Sequence, residues 1–129
     1  MALVTKDTPI PPTLMDSVPQ IGAARAHGLG LDGHGYVVAV LDTGVDGAHP
    51  ALAGSLAAEA CFSTPSSAQY KPRSLCPGGH DVSLVLGAAR GCPASIEGCE
   101  HGTHVAGIIA GHDMSFGDKR FEGVVPTQR

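Results

Sequence analysis

The sequence of 129 residues contains no tryptophan, and aromatic residues make up only 4% of it. A hydrophobic core therefore has to be built from valine, leucine, isoleucine and alanine. Basic residues are also scarce: eight lysines and arginines against twelve acidic residues give a formal charge of −4. This balance argues against nucleic acid as a partner. No apolar run approaches the roughly 20 residues that a bilayer-spanning helix needs, so no membrane partner is expected.

What the chain does contain is enough apolar sequence for one globular domain. Hydrophobic residues make up 43% of it, and its 18 glycines and 10 prolines are numerous without amounting to low complexity. Residues 1–16 are proline-rich and lack the apolar core of a signal peptide, and we interpret them as an extended N-terminal arm. Residues 17–129 then belong to the folded domain, of which they are expected to be the N-terminal part.

A continuous apolar run from Tyr36 to Leu41 predicts a strand covered on both faces. The run ends in Asp42-Thr43-Gly44, an acidic residue followed by a small turn pair. Functional sites in open α/β sheets form beyond the carboxyl ends of the strands, so Asp42 is a candidate functional residue.

A second segment, residues 101–111, begins with the polar sequence His-Gly-Thr-His and continues with small and apolar residues. Val105, Ile108 and Ile109 recur at helical spacing, which predicts a helix with His101 in its first turn. Because glycine destabilises a solvated helix, we expect tertiary contacts to bury this one.

These two segments resemble motifs of the subtilisin-like serine peptidases, the subtilases. Val40-Leu41-Asp42-Thr43-Gly44-Val45-Asp46, followed by His49-Pro50, resembles the aspartate motif of that family. His101-Gly102-Thr103-His104-Val105-Ala106-Gly107 resembles its histidine motif. The two occur in the family's order, and the resemblance extends from about Ile21 to Pro126.

The resemblance implies an α/β fold with three layers, in which a mainly parallel sheet is flanked by helices. It implies a serine endopeptidase that hydrolyses protein or peptide substrates with an Asp-His-Ser triad. Asp42 and His101 match the aspartate and the histidine, so we expect the carboxylate to lie within hydrogen-bonding distance of the imidazole. It should face the ring nitrogen remote from the serine.

The sequence has no Gly-Thr-Ser, the context of the family's nucleophile, and no asparagine for the oxyanion hole. The chain is therefore expected to be the N-terminal part of a catalytic domain. Its partner would be the missing C-terminal portion of the same domain, and residues 1–129 alone should not hydrolyse peptides. Catalysis by a triad requires no cofactor; many subtilases bind calcium, but the sequence assigns no calcium ligands.

A metal site is an alternative use of the histidines. His101, His104 and His112 could be combined as ligands, but the HxxxH spacing of metalloprotease helices is missing. No acidic residue follows His101, because Gly102 stands there. The spacing therefore favours a triad histidine, with His104 as a packed, hydrogen-bonded neighbour.

Two further alternatives concern the function as a whole. The chain could be a catalytically inactive subtilase relative that serves as a binding module. It could also belong to an unrelated class, such as a phosphatase with Asp42 as nucleophile. That class needs a second acidic residue two positions on, where Gly44 stands.

The cysteines, Cys61, Cys76, Cys92 and Cys99, contain no CxxC pair, which argues against tetrahedral zinc. Four cysteines permit three pairings, and the sequence alone leaves these open. We predict the sequence-adjacent bridges Cys61–Cys76 and Cys92–Cys99, because each closes a short loop in a segment with little core. Disulfides imply an oxidising compartment, so the protein is expected to be secreted or periplasmic.

Several local elements are also predicted. Residues 18–28 should form a helix capped by Asp16 or Ser17, with Pro19 in its first turn and Gly28 at its end. Residues 57–62 and 82–86 are candidate short strands.

Two polar residues near the aspartate motif are expected to be structural. Asp46 should bond to local backbone, and His49 should open a turn that carries Leu52 into the core.

Overall fold

The computed structural model describes residues 14–63, 73–93 and 95–126. Its helices and strands, in chain order, are α1 (Leu14–Gln20), α2 (Ala23–Gly28), a 3₁₀ turn (Pro50–Leu52), β1 (Cys61–Phe62), a 3₁₀ turn (Pro77–Gly79), β2 (Val82–Ser83), α3 (His101–Ala110), β3 (Met114–Phe116) and β4 (Lys119–Phe121). Within these ranges no helix has the length and apolar character needed to cross a membrane.

The strands form two separate antiparallel pairs. β1 pairs with β2, so that Cys61 lies opposite Ser83, and β3 pairs with β4 in a hairpin. The short strands predicted within residues 57–62 and 82–86 are confirmed in part, since each contributes two residues. The expected parallel sheet is not confirmed, because both sheets of the described part of the chain are antiparallel.

The predicted central strand from Tyr36 to Leu41 is not formed: these residues belong to no helix or strand. Their side chains are also largely uncovered, with Val37 exposed to 78% and Leu41 to 92%. A strand in a parallel sheet requires neighbouring strands on its edges. None of the described segments pairs with residues 36–41, and so the apolar run remains an open surface.

The N-terminal helix is two helices instead of one. Gly22 has a left-handed backbone conformation (φ 78°) between α1 and α2, which interrupts the predicted element. Pro19 lies inside α1, not in a first turn, whereas Gly28 ends α2 as predicted. Of the predicted extended arm, residues 1–13 lie outside the described residues and 14–16 are helical.

Helix α3 begins at His101, as the sequence predicted, but only a narrow face of it is buried. Gly102 and Ala106 are its buried residues, and most of the others are half-buried. The segment after β4 packs against the C-terminal end of the helix, where the backbone N–H of Val124 donates to the carbonyl oxygen of Ile108 at 2.9 Å. The expectation of a buried helix therefore holds for one side of it.

Both predicted disulfides are confirmed. Cys61 is bonded to Cys76, with their Cα atoms 5.6 Å apart, and Cys92 is bonded to Cys99, with their Cα atoms 5.3 Å apart. The first links β1 to the segment preceding β2, and the second lies directly before α3. Together they hold a part of the chain that contains little regular structure.

Candidate active site

Asp42 and His101 are in direct contact. The Nδ1 atom of His101 lies 2.9 Å from both carboxylate oxygens of Asp42, which confirms that the two side chains lie within hydrogen-bonding distance. Because an ionised carboxylate only accepts hydrogen bonds, the imidazole donates from Nδ1–H. In the neutral ring this leaves Nε2 as an unprotonated nitrogen with a free lone pair.

The two side chains differ in their access to solvent. The side chain of His101 is exposed to 64%, whereas that of Asp42 is exposed to only 14%. The carboxylate therefore sits behind the ring, and the ring has a free face toward solvent. Such an arrangement suits a histidine that exchanges a proton with another group while the aspartate fixes its orientation.

Two glycines allow the contact to form. A Cβ atom on Gly102 would collide with the carbonyl oxygen of Gly44 and would lie 3.1 Å from the Cβ atom of Asp42. Gly44 itself has φ 109° and lies against the backbone of Arg90, where a Cβ atom would be 2.8 Å from the carbonyl oxygen. The absence of side chains at both positions lets the Asp42 turn approach the first turn of α3.

The pKa of the Asp42 carboxyl lies below its ordinary value. The hydrogen bond from His101 is the largest cause, followed by the bond that the backbone N–H of Thr43 donates at 2.7 Å. Partial burial opposes both by favouring the neutral acid. The net result keeps Asp42 ionised near neutral pH, as a hydrogen-bond acceptor for the imidazole must be.

The neighbouring polar residues have structural roles that the sequence predicted in part. Asp46 accepts a hydrogen bond from the backbone N–H of Ala48 at 3.1 Å, which confirms its local role. The His49 ring accepts from the N–H of Ala51 at 3.2 Å and caps the 3₁₀ turn. Leu52 at the end of that turn is only 2% exposed, so this prediction is also confirmed.

Two threonines at the site were not identified from the sequence. The hydroxyl of Thr43 contacts both Asp42 and the start of α3, and the hydroxyl of Thr103 accepts from the backbone N–H of Asp46 at 2.9 Å. The position of Thr43 next to a functional acid could have marked it as a capping residue, because threonine side chains often cap helix N-termini. Nothing in the local sequence shows that the capped helix lies 59 positions away.

The remaining histidines do not assemble into a metal centre in the described ranges, where no group of three or more histidine, cysteine or acidic side chains could hold an ion. His104 is exposed, so the expectation of a packed neighbour is wrong. His112 bonds through its backbone N–H to the carbonyl oxygen of Ala51 at 3.0 Å.

A large apolar cleft opens beside Asp42. It has a volume of about 1090 Å³ and is lined by residues 37–45, by residues 55–63 and by one face of α3. Residues 37–41 of the uncovered apolar run form one of its walls. Asp42 thus lies at the margin of an apolar depression.

Comparisons with known proteins identify relatives for most of the chain. A family model described as "Subtilase family" matches residues 33–128. The minor extracellular protease Vpr of Bacillus subtilis (strain 168) is 36% identical over 102 residues, which are 78% of this chain and 11% of the relative. The M-protease of Shouchella clausii (strain KSM-K16) is 34% identical over 121 residues, 89% of this chain and 23% of the relative.

A third relative, bacillopeptidase F of Bacillus subtilis (strain 168), is 33% identical over 97 residues, 75% of this chain and 6% of the relative. The chain thus spans less than a quarter of the length of each of these relatives. No solved structure matches it significantly.

Proposed function

Because the chain belongs to the subtilase family, we propose that it is part of a serine endopeptidase, with Asp42 and His101 as the catalytic aspartate and histidine. The observation that carries the proposal is the contact between the carboxylate and Nδ1 at 2.9 Å. The matched residues 33–128 include both side chains. Three relatives that carry the name of a protease or peptidase support the general class of activity.

In the proposed mechanism His101 acts as the general base. Nε2 takes the proton from a serine hydroxyl as the serine oxygen attacks the peptide carbonyl carbon, and the imidazolium then gives that proton to the leaving amine. Water repeats the sequence on the acyl-enzyme and releases the acid. Asp42 holds Nδ1–H throughout and stabilises the positive ring without taking its proton.

The serine and the oxyanion-hole donors have to come from outside residues 1–129, because the sequence has no Gly-Thr-Ser and no asparagine. We therefore propose that the C-terminal portion of the same catalytic domain covers the site and that residues 1–129 alone are inactive. The substrate class is protein or peptide, and no cofactor enters the steps above. Calcium binding stays a prediction without assigned ligands.

Secretion is part of the proposal. Two disulfides are present, and disulfides persist in oxidising compartments. One relative is named as an extracellular protease. A secreted or periplasmic protease is consistent with both observations.

The test is hydrolysis of a fluorogenic peptide by the product of the complete open reading frame that contains this chain. We expect activity that a serine-directed sulfonyl fluoride abolishes. The variant His101→Ala should lose several orders of magnitude in kcat, as removal of a triad residue does. His104→Ala is the matched control, because this exposed histidine lies on the same helix, and it should retain activity.

Peptidase activity that is unaffected by His101→Ala would overturn the assignment of the pair. The alternative of a catalytically inactive binding module predicts no hydrolysis at all. It also predicts a reading frame without any Gly-Thr-Ser segment downstream of codon 129. Sequencing that region therefore separates the two functions before any protein is made.

A further inference from the structure

Helix α3 obtains its N-terminal cap from a distant residue. Glu100, which precedes the helix, makes no side-chain cap bond. The hydroxyl oxygen of Thr43 instead accepts the backbone N–H of Gly102 at 3.2 Å. A capping side chain ordinarily comes from the residue just before the helix and binds the second or third N–H. Here the cap comes from the residue that follows Asp42.

The Thr43 hydroxyl can also donate its one hydrogen to any of three nearby oxygen atoms. It lies 3.2 Å from Oδ1 of Asp42, 3.2 Å from the carbonyl oxygen of Gly98 and 3.3 Å from that of Cys99. A threonine hydroxyl donates one hydrogen bond and accepts up to two. The side chain of Thr43 therefore links the Asp42 turn to Gly98 and Cys99, shortly before α3, and to the helix itself.

The Cys92–Cys99 disulfide fixes the carbonyl groups that Thr43 contacts. Cys99 is 5% exposed, and its bond to Cys92 joins it to the segment on the other side of the Asp42 turn. In that segment the carbonyl oxygen of Ala89 accepts the N–H of Val45 at 2.6 Å. The disulfide thus connects the two stretches of chain that flank the turn.

We propose that Thr43 is a positioning residue which, together with the Cys92–Cys99 disulfide, holds the Asp42 turn against the first turn of α3 and so keeps His101 aligned for proton transfer. The inference rests on the proposed function for its catalytic consequence. The side chain of His101 is 64% exposed, so packing restricts its rotation only weakly. The alignment has to come from the backbone at both ends of the Asp42–His101 contact.

The first test compares Thr43→Val with Thr43→Ser. Valine keeps the shape of the side chain and removes the hydroxyl, whereas serine keeps the hydroxyl. The readout is the pair of ¹⁵N chemical shifts of the neutral His101 ring, which report the nitrogen that carries the proton. We expect the Nδ1–H tautomer in the unmodified protein and in Thr43→Ser, and a mixture of tautomers in Thr43→Val.

His27 supplies an internal control for folding. Its Nε2 lies 2.8 Å from the carbonyl oxygen of Val124, and its ring signal should be the same in all variants. The proposal is contradicted if Thr43→Val keeps the unmodified pattern at His101 or if Thr43→Ser behaves like valine. Loss of the His27 signal in Thr43→Val also contradicts it, because the hydroxyl would then hold the fold as a whole.

The second test compares the two disulfides. Cys92→Ser/Cys99→Ser should shift the His101 tautomer in the same direction as Thr43→Val, and Cys61→Ser/Cys76→Ser should leave it unchanged. Equal effects of both double variants would contradict a role specific to Cys92–Cys99. A double variant that loses the His27 signal is not correctly folded. In that case the comparison of Thr43→Val with Thr43→Ser decides whether the proposal holds.

Kinetics separate this inference from the proposed function. Thr43→Val should lower kcat by up to about 100-fold, the cost of misplacing reacting groups by about 1 Å, with KM unchanged. A lower kcat in Thr43→Ser as well would contradict the role of the hydroxyl. If the product of the complete reading frame hydrolyses no peptide, the proposed function fails, while the tautomer of His101 still tests the role of Thr43 in holding the pair.

Discussion

Replacing Gly102 by alanine tests whether the close approach of two backbone segments builds the site. The new methyl group would collide with the carbonyl oxygen of Gly44 and would lie 3.2 Å from Oδ1 of Asp42. The first obstacle is a backbone atom, so it cannot move away as a flexible side chain would. We expect the start of α3 to shift and the contact between His101 and Asp42 to lengthen.

The change in the free energy of unfolding of Gly102→Ala follows from two opposing effects. Alanine favours a helix over glycine by about 1 kcal/mol, whereas inserting a methyl group into a filled space costs about 1–3 kcal/mol. The upper part of that range applies, because Gly44 is held from behind by the backbone of Arg90 and Gly91. Gly102→Ala should therefore lower the free energy of unfolding by about 1–2 kcal/mol.

Gly107 is the matched control in the same helix, because a Cβ atom there would meet nothing within 4 Å. Gly107→Ala should raise the free energy of unfolding by up to about 1 kcal/mol. Denaturant unfolding of the two variants, with the ¹⁵N tautomer readout at His101, checks both expectations. If Gly102→Ala is as stable as Gly107→Ala and keeps the Nδ1–H tautomer, the reasoning is refuted.

Two further predictions concern the acid titration and the disulfides. Because the pKa of Asp42 is lowered in the folded state from the ordinary 3.8, its contribution to stability is present above that value and lost as pH falls through the folded pKa. Replacing His101 by glutamine should move the carboxyl titration, followed by ¹³C NMR, up toward 3.8; an unchanged midpoint would contradict the contact. Removing Cys61–Cys76 should lower the free energy of unfolding by about 3 kcal/mol and removing Cys92–Cys99 by about 2 kcal/mol, measured by denaturant unfolding. A larger loss at the shorter loop would contradict the loop-entropy argument.

Asp42 and His101 could be predicted as candidate residues because the features that mark each of them lie within a few residues of it in the sequence. Asp42 follows an apolar run, and His101 opens a segment with helical spacing. Their spatial contact was expected from the family resemblance and is present at 2.9 Å. The disulfide pairing was also predicted, since residues 61–76 and 92–99 each close a short loop in a segment with little core.

The parts that the sequence did not predict depend on distant partners or on backbone conformation. The run from Tyr36 to Leu41 has the composition of a strand, yet a strand forms only when another segment pairs with it. The break at Gly22 depends on a left-handed conformation that glycine permits but does not require. The cap that Thr43 provides was missed for the same reason as the strand, because its partner lies 59 positions away.

The most direct test of the central claim is a double-variant cycle on Asp42 and His101. It measures kcat for peptide hydrolysis by the product of the complete reading frame. If the two side chains act as one unit, Asp42→Asn/His101→Ala loses about as much activity as His101→Ala alone, because the aspartate works only through the ring. If the losses of the two single variants multiply in the double variant, the residues act independently and the account is wrong.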